Sequence, residues 1–112
     1  MNNLIQQLRK FASERQWEQF HSPKNLTMAI SIEAAELMEH FQWLTEAQSR
    51  ALDEETTAKV AEEIADVQLY LARLADQLGI DPIAAAMAKL QKNAEKYPVE
   101  KARGNAKKYT EL

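Results

Sequence analysis

The sequence contains no cysteine, and its 112 residues include only two glycines and three prolines. The absence of cysteine excludes a disulfide-stabilised scaffold and any zinc or iron–sulfur site held by thiolates. The scarcity of glycine and proline leaves few turn signals, so we expect a small number of long secondary-structure elements. A chain of this length is expected to fold as one domain.

Charge and hydropathy exclude further classes of protein. The formal net charge of −3 gives no bulk electrostatic reason to bind nucleic acid. A hydrophobic content of 46% with 28% charged residues is typical of a folded, soluble protein. No apolar run approaches the ~20 residues that span a bilayer, and the first residues, "MNNLIQQLRKF", lack the basic-then-apolar order of a signal peptide. We therefore expect a cytoplasmic protein with neither membrane nor nucleic-acid partners.

Apolar residues recur at spacings of three and four along most of the chain, which predicts an all-α bundle. The four predicted helices span about residues 3–15, 23–44, 56–78 and 82–97. Residues 1–98 are expected to form the domain, and residues 99–112 to be a basic C-terminal tail of the same domain.

Helix boundaries are marked locally. Ser22-Pro23 and Asp81-Pro82 each combine an N-cap residue with a proline at the first helical position, and Gly79 is a stop signal. The inner face of the third helix is predicted to consist of Val60, Ile64, Val67, Leu71, Leu74 and Leu78. The inner face of the fourth is predicted to consist of Ile83, Met87, Leu90, Ala94 and Tyr97.

Two pairs of acidic residues border the apolar faces of the second and third predicted helices. Glu33 and Glu36 lie three residues apart on the second helix, and Glu63 and Asp66 lie three apart on the third. For either pair alone, a solvated surface is the commoner explanation. Four carboxylates near apolar walls are costly, however, unless a cation lies between them. Ligands that are all oxygen favour Mg²⁺, with Mn²⁺ as a possible substitute.

The acidic pattern also resembles a known family. The spacing is that of an ExxE motif and an ExxD motif separated by residues 37–62. Along the chain occur, in this order, the segments "RQWEQFHSPKNL", "FQW", "ADVQLYL", "KYP" and "KKYTEL". Together they resemble the MazG-like all-α nucleoside triphosphate pyrophosphohydrolases, in particular the dCTP pyrophosphatase branch. The resemblance implies a four-helix bundle that assembles as a homotetramer, with sites built from more than one subunit. It also implies that a dNTP is cleaved to dNMP and pyrophosphate, and that Glu33, Glu36, Glu63 and Asp66 hold Mg²⁺.

The resemblance assigns further roles to single residues. Either Glu36 or Glu63 would orient or deprotonate the attacking water. The substrate-binding residues would be Trp17, Phe20, His21, Trp43, Tyr70, Lys89, Asn93 and Lys96. The chain departs from the family pattern at Ile32, where MazG proper often has another glutamate. It also departs at Leu8, where the animal dCTP enzyme has a histidine that contacts the nucleotide.

An alternative interpretation is a non-enzymatic interaction module. Its apolar helix faces would serve oligomerisation, and the four carboxylates would be ordinary surface charge. The sequence alone leaves this alternative open, together with the preferred base of the nucleotide.

Overall fold

A computed structural model describes residues 2–112 of the chain, and within that range it is all-α, without a strand. The helices are α1 (Asn2–Glu14), α2 (Pro23–Glu39), α3 (Glu46–Ser49), α4 (Glu54–Gln77), α5 (Pro82–Lys96) and α6 (Val99–Ala102), with 3₁₀ turns at Glu18–Phe20 and Tyr109–Glu111. The all-α prediction is therefore confirmed. The four long helices are those that the sequence predicts, while α3 and α6 are single-turn additions.

Two of the long helices begin at the capping residues that the sequence indicates. The Ser22 hydroxyl accepts a hydrogen bond from the Asn25 amide, and Pro23 follows at the first helical position. Asp81 accepts from two amide groups at the start of α5, and Asp53 caps α4 in the same way. Each cap satisfies amide groups that have no partner inside the helix.

The chain divides into two compact units, one extending to Ile80 and the other formed by Asp81–Leu112. In the first unit, α4 packs against α2 and against α1. In the second, the rings of Tyr97 and Tyr109 meet edge to face at 6.1 Å, and the Lys96 ammonium lies 4.8 Å from the centre of the Tyr109 ring. The predicted boundary between a domain and a tail at residues 98 and 99 stays a prediction.

Helices α2 and α4 run antiparallel. Near the end of α2, His40 lies 3.9 Å from Glu63 of α4. Before the start of α2, His21 accepts a hydrogen bond from Arg73, which lies ten residues further along α4. Residues late in one helix therefore face residues early in the other, as the predicted meeting of the two acidic pairs requires.

The buried core of the single chain is small. Its buried apolar residues are Ala12, Leu26, Val60, Ala72 and Ala75. The predicted inner face of α4 is wrong in part, because Ile64, Leu71 and Leu78 are 46%, 46% and 52% exposed. The predicted inner face of α5 is also exposed along Ile83, Met87 and Leu90. The repeat of three and four residues identified an apolar stripe correctly, but it did not identify what covers the stripe.

Within residues 2–112, no helix has both the length and the hydropathy needed to cross a membrane.

The second helix ends at Glu39 instead of Leu44, because the chain turns at His40 before α3 begins.

One backbone position after α1 is strained. Gln16 has φ = 55°, in the left-handed region that residues other than glycine rarely adopt. The turn is closed by hydrogen bonds from the Gln16 amide to the Ser13 carbonyl and from the Trp17 amide to the Ala12 carbonyl. This arrangement ends α1 as a C-terminal cap and fixes where Trp17 leaves the helix.

We predict that Gln16→Gly stabilises the protein. Glycine removes the left-handed clash but gains freedom in the unfolded chain, so the expected net increase in the free energy of unfolding is about 0.5–1 kcal/mol. Urea denaturation measures it. Gln16→Ala is the matched control, because it keeps the clash and should give no gain. A glycine variant no more stable than the alanine variant would contradict the strain.

Candidate metal centre and adjoining cavity

Helices α2 and α4 bring three carboxylates together. One oxygen each from Glu33, Glu36 and Glu63 lies within 4.8 Å of the others, and all three residues are half-buried. Glu33 and Glu36 meet because they lie one turn apart on α2, and Glu63 reaches them because α4 packs antiparallel to α2. Two separate sequence motifs thus form one acidic cluster.

The cluster has unsatisfied oxygens. Among residues 2–112, the Oε2 atoms of Glu33 and Glu63 are buried and accept no hydrogen bond. Buried carboxylate oxygens without a donor cost free energy unless they are protonated or bind a cation. Three carboxylates supply only hard oxygen ligands, which is the chemistry that Mg²⁺ and Mn²⁺ prefer. The residues present therefore fit a divalent cation.

Crowding changes the titration of one member of the cluster. Burial, a side-chain hydrogen bond with Glu36 and the negative charges of Glu36, Asp66 and Glu63 together raise the pKa of Glu33 to about 7. At neutral pH without a cation, Glu33 is therefore partly protonated. A bound cation would favour its charged form and release that proton.

Asp66 stands slightly apart from the other three acids. It is exposed and does not belong to the group of oxygens within 4.8 Å, although it lines the same cavity as Glu33. The four-residue metal set stays a prediction, with Glu33, Glu36 and Glu63 already gathered and Asp66 at the edge of the cavity.

A cavity of about 230 Å³ adjoins the carboxylates. Glu33 and Asp66 lie at its acidic side, and its other walls include Trp17, His21 and Tyr70, three of the predicted substrate-binding residues. Aromatic walls offer flat apolar surfaces on which a ring can stack. The cavity therefore combines a place for a flat ring with a place for a cation.

The segment between α1 and α2 positions two of these aromatic residues. Trp17 follows the strained turn at Gln16, and its ring meets Phe11 edge to face at 5.6 Å. A 3₁₀ turn then brings His21 to the cavity, with its ring 6.0 Å from that of Trp17.

Other predicted substrate-binding residues lie elsewhere. Phe20 is 60% exposed and Trp43 is 86% exposed, and neither lines the cavity. Trp43 is therefore not a core residue of this chain. Lys89, Asn93 and Lys96 all lie on α5 in the second unit. Their substrate contacts, like those of Trp17, His21 and Tyr70, stay predictions.

Sequence reasoning missed Arg73. This residue is only 7% exposed, it lines the cavity, and its Nε donates a hydrogen bond to Nδ1 of His21 at 3.3 Å. Burial and the positive charge of Arg73 lower the pKa of His21, with Glu18 opposing them. A signal was present in the sequence, because Arg73 follows Asp66 by seven residues and therefore shares its face of the helix.

We predict that Glu33→Gln changes how stability depends on pH in metal-free buffer. The folded pKa of about 7 lies above the ordinary value of 4.5, so between these values the folded protein keeps a proton that the unfolded chain has lost. Wild-type stability due to this group therefore falls as pH rises through that window. The variant does not titrate there, so its stability relative to the wild type should grow from pH 4.5 to above 7.

Urea denaturation in EDTA across this pH range measures the difference. Glu39→Gln is the matched control, because Glu39 lies on the same helix, is exposed and is not part of the acidic cluster. Parallel stability curves for wild type and Glu33→Gln would contradict the raised pKa. Added Mg²⁺ should stabilise the wild type and the Glu39 variant more than the Glu33 variant.

Comparison with known proteins places the chain in a family. Residues 28–112 match the MazG-like family. The chain is 43% identical over 105 residues to dCTP pyrophosphatase 1 of Rattus norvegicus and 41% identical to that of Homo sapiens. Each alignment covers 92% of this chain and 62% of the relative, so the chain spans less than two thirds of these relatives' length. A crystal structure of a pyrophosphatase from Archaeoglobus fulgidus is 45% identical, with a TM-score of 0.83 over 88% of this chain and 92% of that one. The chain belongs to the MazG-like family.

Proposed function

We propose that this protein is a Mg²⁺-dependent pyrophosphohydrolase that cleaves dCTP, or a modified dCTP, to the nucleoside monophosphate and pyrophosphate, and so removes nucleotides from the cellular pool. One observation carries the proposal: buried carboxylate oxygens without partners adjoin a cavity with aromatic walls. The similarity to dCTP pyrophosphatases supports it. The rival interaction module accounts for exposed apolar helix faces, but it gives no reason for the unpartnered oxygens.

Different residues of the chain would bind the metal ion and activate the water. Glu33, Glu36, Glu63 and Asp66 would hold Mg²⁺, with Mn²⁺ as a possible substitute. When bound, the ion would neutralise negative charge on the phosphates and make the phosphorus more electrophilic. Either Glu36 or Glu63 would orient a water molecule and accept its proton. The water oxygen would attack the α-phosphorus, the bond from that phosphorus to the bridging oxygen would break, and pyrophosphate would leave.

The cavity would hold the nucleoside. Trp17 and Tyr70 supply aromatic surface beside the carboxylates. Lys89, Asn93 and Lys96 would contribute donors and positive charge for the phosphates. Phe20 and Trp43 are too exposed to act from within the cavity wall, so we propose that they contact the nucleotide in a site completed by a neighbouring subunit.

Assembly as a homotetramer is part of the proposal. Ile64 and Leu71 of α4, and Leu78 directly after its last residue, recur every seven residues and are each about half exposed. Such a seam is suited to packing against another helix. The buried core includes three alanines among five apolar residues, so a single chain leaves most of its large apolar side chains in contact with water. Burial between subunits would remove that cost.

We predict that the purified protein releases pyrophosphate from dCTP faster than from the other common nucleoside triphosphates in the presence of Mg²⁺. Glu63→Gln should reduce turnover by a factor of about 10²–10³ or more, because a group that positions the reacting phosphate and water is lost. Pyrophosphate release in steady state measures both effects.

Glu62→Gln is the matched control, because Glu62 precedes Glu63 on α4 but is exposed and outside the acidic cluster. A Glu63→Gln enzyme with wild-type turnover and Mg²⁺ dependence would exclude the proposed site. Absence of hydrolysis for every nucleotide, together with no thermal stabilisation by Mg²⁺ and a non-hydrolysable dCTP analogue, would favour the interaction module.

We also predict that light scattering gives a tetrameric mass at micromolar concentration. Leu71→Glu should shift the mass towards smaller species, because a charge at the centre of the seam cannot be buried without a partner. Ala58→Glu adds the same charge at an exposed position of the same helix and should leave the mass unchanged. A monomeric wild type would contradict the proposed assembly.

A further inference from the structure

Arg73 is a buried cation with few partners. Among residues 2–112 it is the only charged side chain in the buried class. A buried guanidinium is costly unless acceptors satisfy its N–H groups. The position of those acceptors therefore indicates the role of Arg73.

The partners within the chain are incomplete. The Arg73 Nε donates to His21, but Nη1 lies 3.7 Å from an oxygen of Asp76, too far for a hydrogen bond. Both oxygens of Asp76 already accept hydrogen bonds from Arg9, which also lowers the pKa of Asp76. Within the described part of the chain, neither terminal nitrogen of Arg73 has a hydrogen-bond acceptor, and neither is fully buried, so both are open to solvent or to the cavity. The group formed by Arg9, Arg73 and Asp76 also keeps one excess positive charge.

The cavity is where the missing acceptor would bind. Arg73 lines it, and so does Asp66 two turns earlier on the same face of α4. Two turns of α-helix correspond to about 10 Å. This backbone separation is compatible with Arg73 at the far end of a nucleoside whose phosphates lie at the carboxylates.

His21 offers a second donor at the same end. Its Nδ1 accepts the hydrogen bond from Arg73, so in the neutral ring the proton is on Nε2. Burial and the charge of Arg73 lower the pKa of His21, which favours that neutral ring. Arg73 therefore fixes the tautomer of His21, and this end of the cavity presents donors on both side chains.

We propose that Arg73, with the His21 that it orients, determines base specificity by donating hydrogen bonds to two adjacent acceptors, the ring nitrogen N3 and the carbonyl oxygen O2 of cytosine. The inference rests on the proposed function, since it places the phosphates at the carboxylates. Uracil and thymine carry a hydrogen on N3, which would point at these donors without an acceptor. A site of donors therefore selects against them.

The first test changes the substrate and leaves the protein intact. Wild-type kcat/KM is measured for dCTP, for dUTP and for 3-deaza-dCTP, in which a C–H group replaces N3. We expect both alternatives to be at least about tenfold poorer than dCTP, because each leaves a buried donor unpaired. Equal kcat/KM for dCTP and 3-deaza-dCTP would overturn the inference.

The second test changes the protein. In Arg73→Gln, the ratio of kcat/KM for dCTP to that for dUTP should fall at least about tenfold, chiefly through a higher KM for dCTP. Arg73→Lys keeps the charge but loses the planar fork, so its ratio should fall between those of wild type and Arg73→Gln. Arg50→Gln is the matched control, because Arg50 is exposed and lies outside the cavity, and its ratio should equal that of the wild type.

The outcomes separate this inference from the proposed function. If Arg73→Gln lowers kcat/KM for dCTP and dUTP equally, Arg73 acts on the phosphates or on folding, and the inference is overturned. If the variant does not fold, the wild-type comparison with 3-deaza-dCTP decides. If the wild type hydrolyses nucleotides without preferring dCTP over dUTP, only base selection by Arg73 fails. If it hydrolyses none, the proposed function fails and the inference fails with it.

Discussion

The packing of α2 against α4 is the contact on which the rest of the first unit depends. The buried apolar residues of these two helices are Leu26 of α2 and Val60, Ala72 and Ala75 of α4, and alanine side chains allow two helices to approach closely. The same contact forces Glu33, Glu36 and Glu63 together. Their mutual repulsion opposes the packing that creates the cluster, so a cation at this point would stabilise the fold and the site at once.

The charges along α4 are ordered. Its early turns carry acids that face α2, and two turns later Arg73 is buried beside His21. The cavity therefore runs from an acidic end that suits a cation to a donor-rich end that suits neutral acceptors. A ligand with a polyphosphate at one end and a polar ring at the other matches this order, because a bound cation would offset part of the negative charge of the carboxylates and would itself attract phosphate oxygens.

Local features of the fold were predictable from the sequence, and long-range ones were less so. Ser22 and Asp81 act within three residues, so their caps follow from the sequence alone. The strained turn at Gln16 carries no glycine and gives no such signal. The acidic pairs were predictable because a helix fixes residues three apart on one side. Arg73 was missed because arginine is normally solvated, and only the packing of His21 against α4 shows that it is buried.

The error at Leu71 has the same origin as the proposed assembly. A heptad stripe shows only that one side of a helix is apolar, and either the core of its own chain or another chain can cover that side. In α4, Ala72, Ala75 and Arg73 are buried in the first unit, while Leu71 and the apolar residues one heptad away from it stay exposed. The helix therefore has one face that is buried in the first unit and one apolar face that is exposed. One face builds the cavity with α1 and α2, and the other stays exposed, so the geometry of the site and the proposed association of subunits both depend on the same 24-residue element.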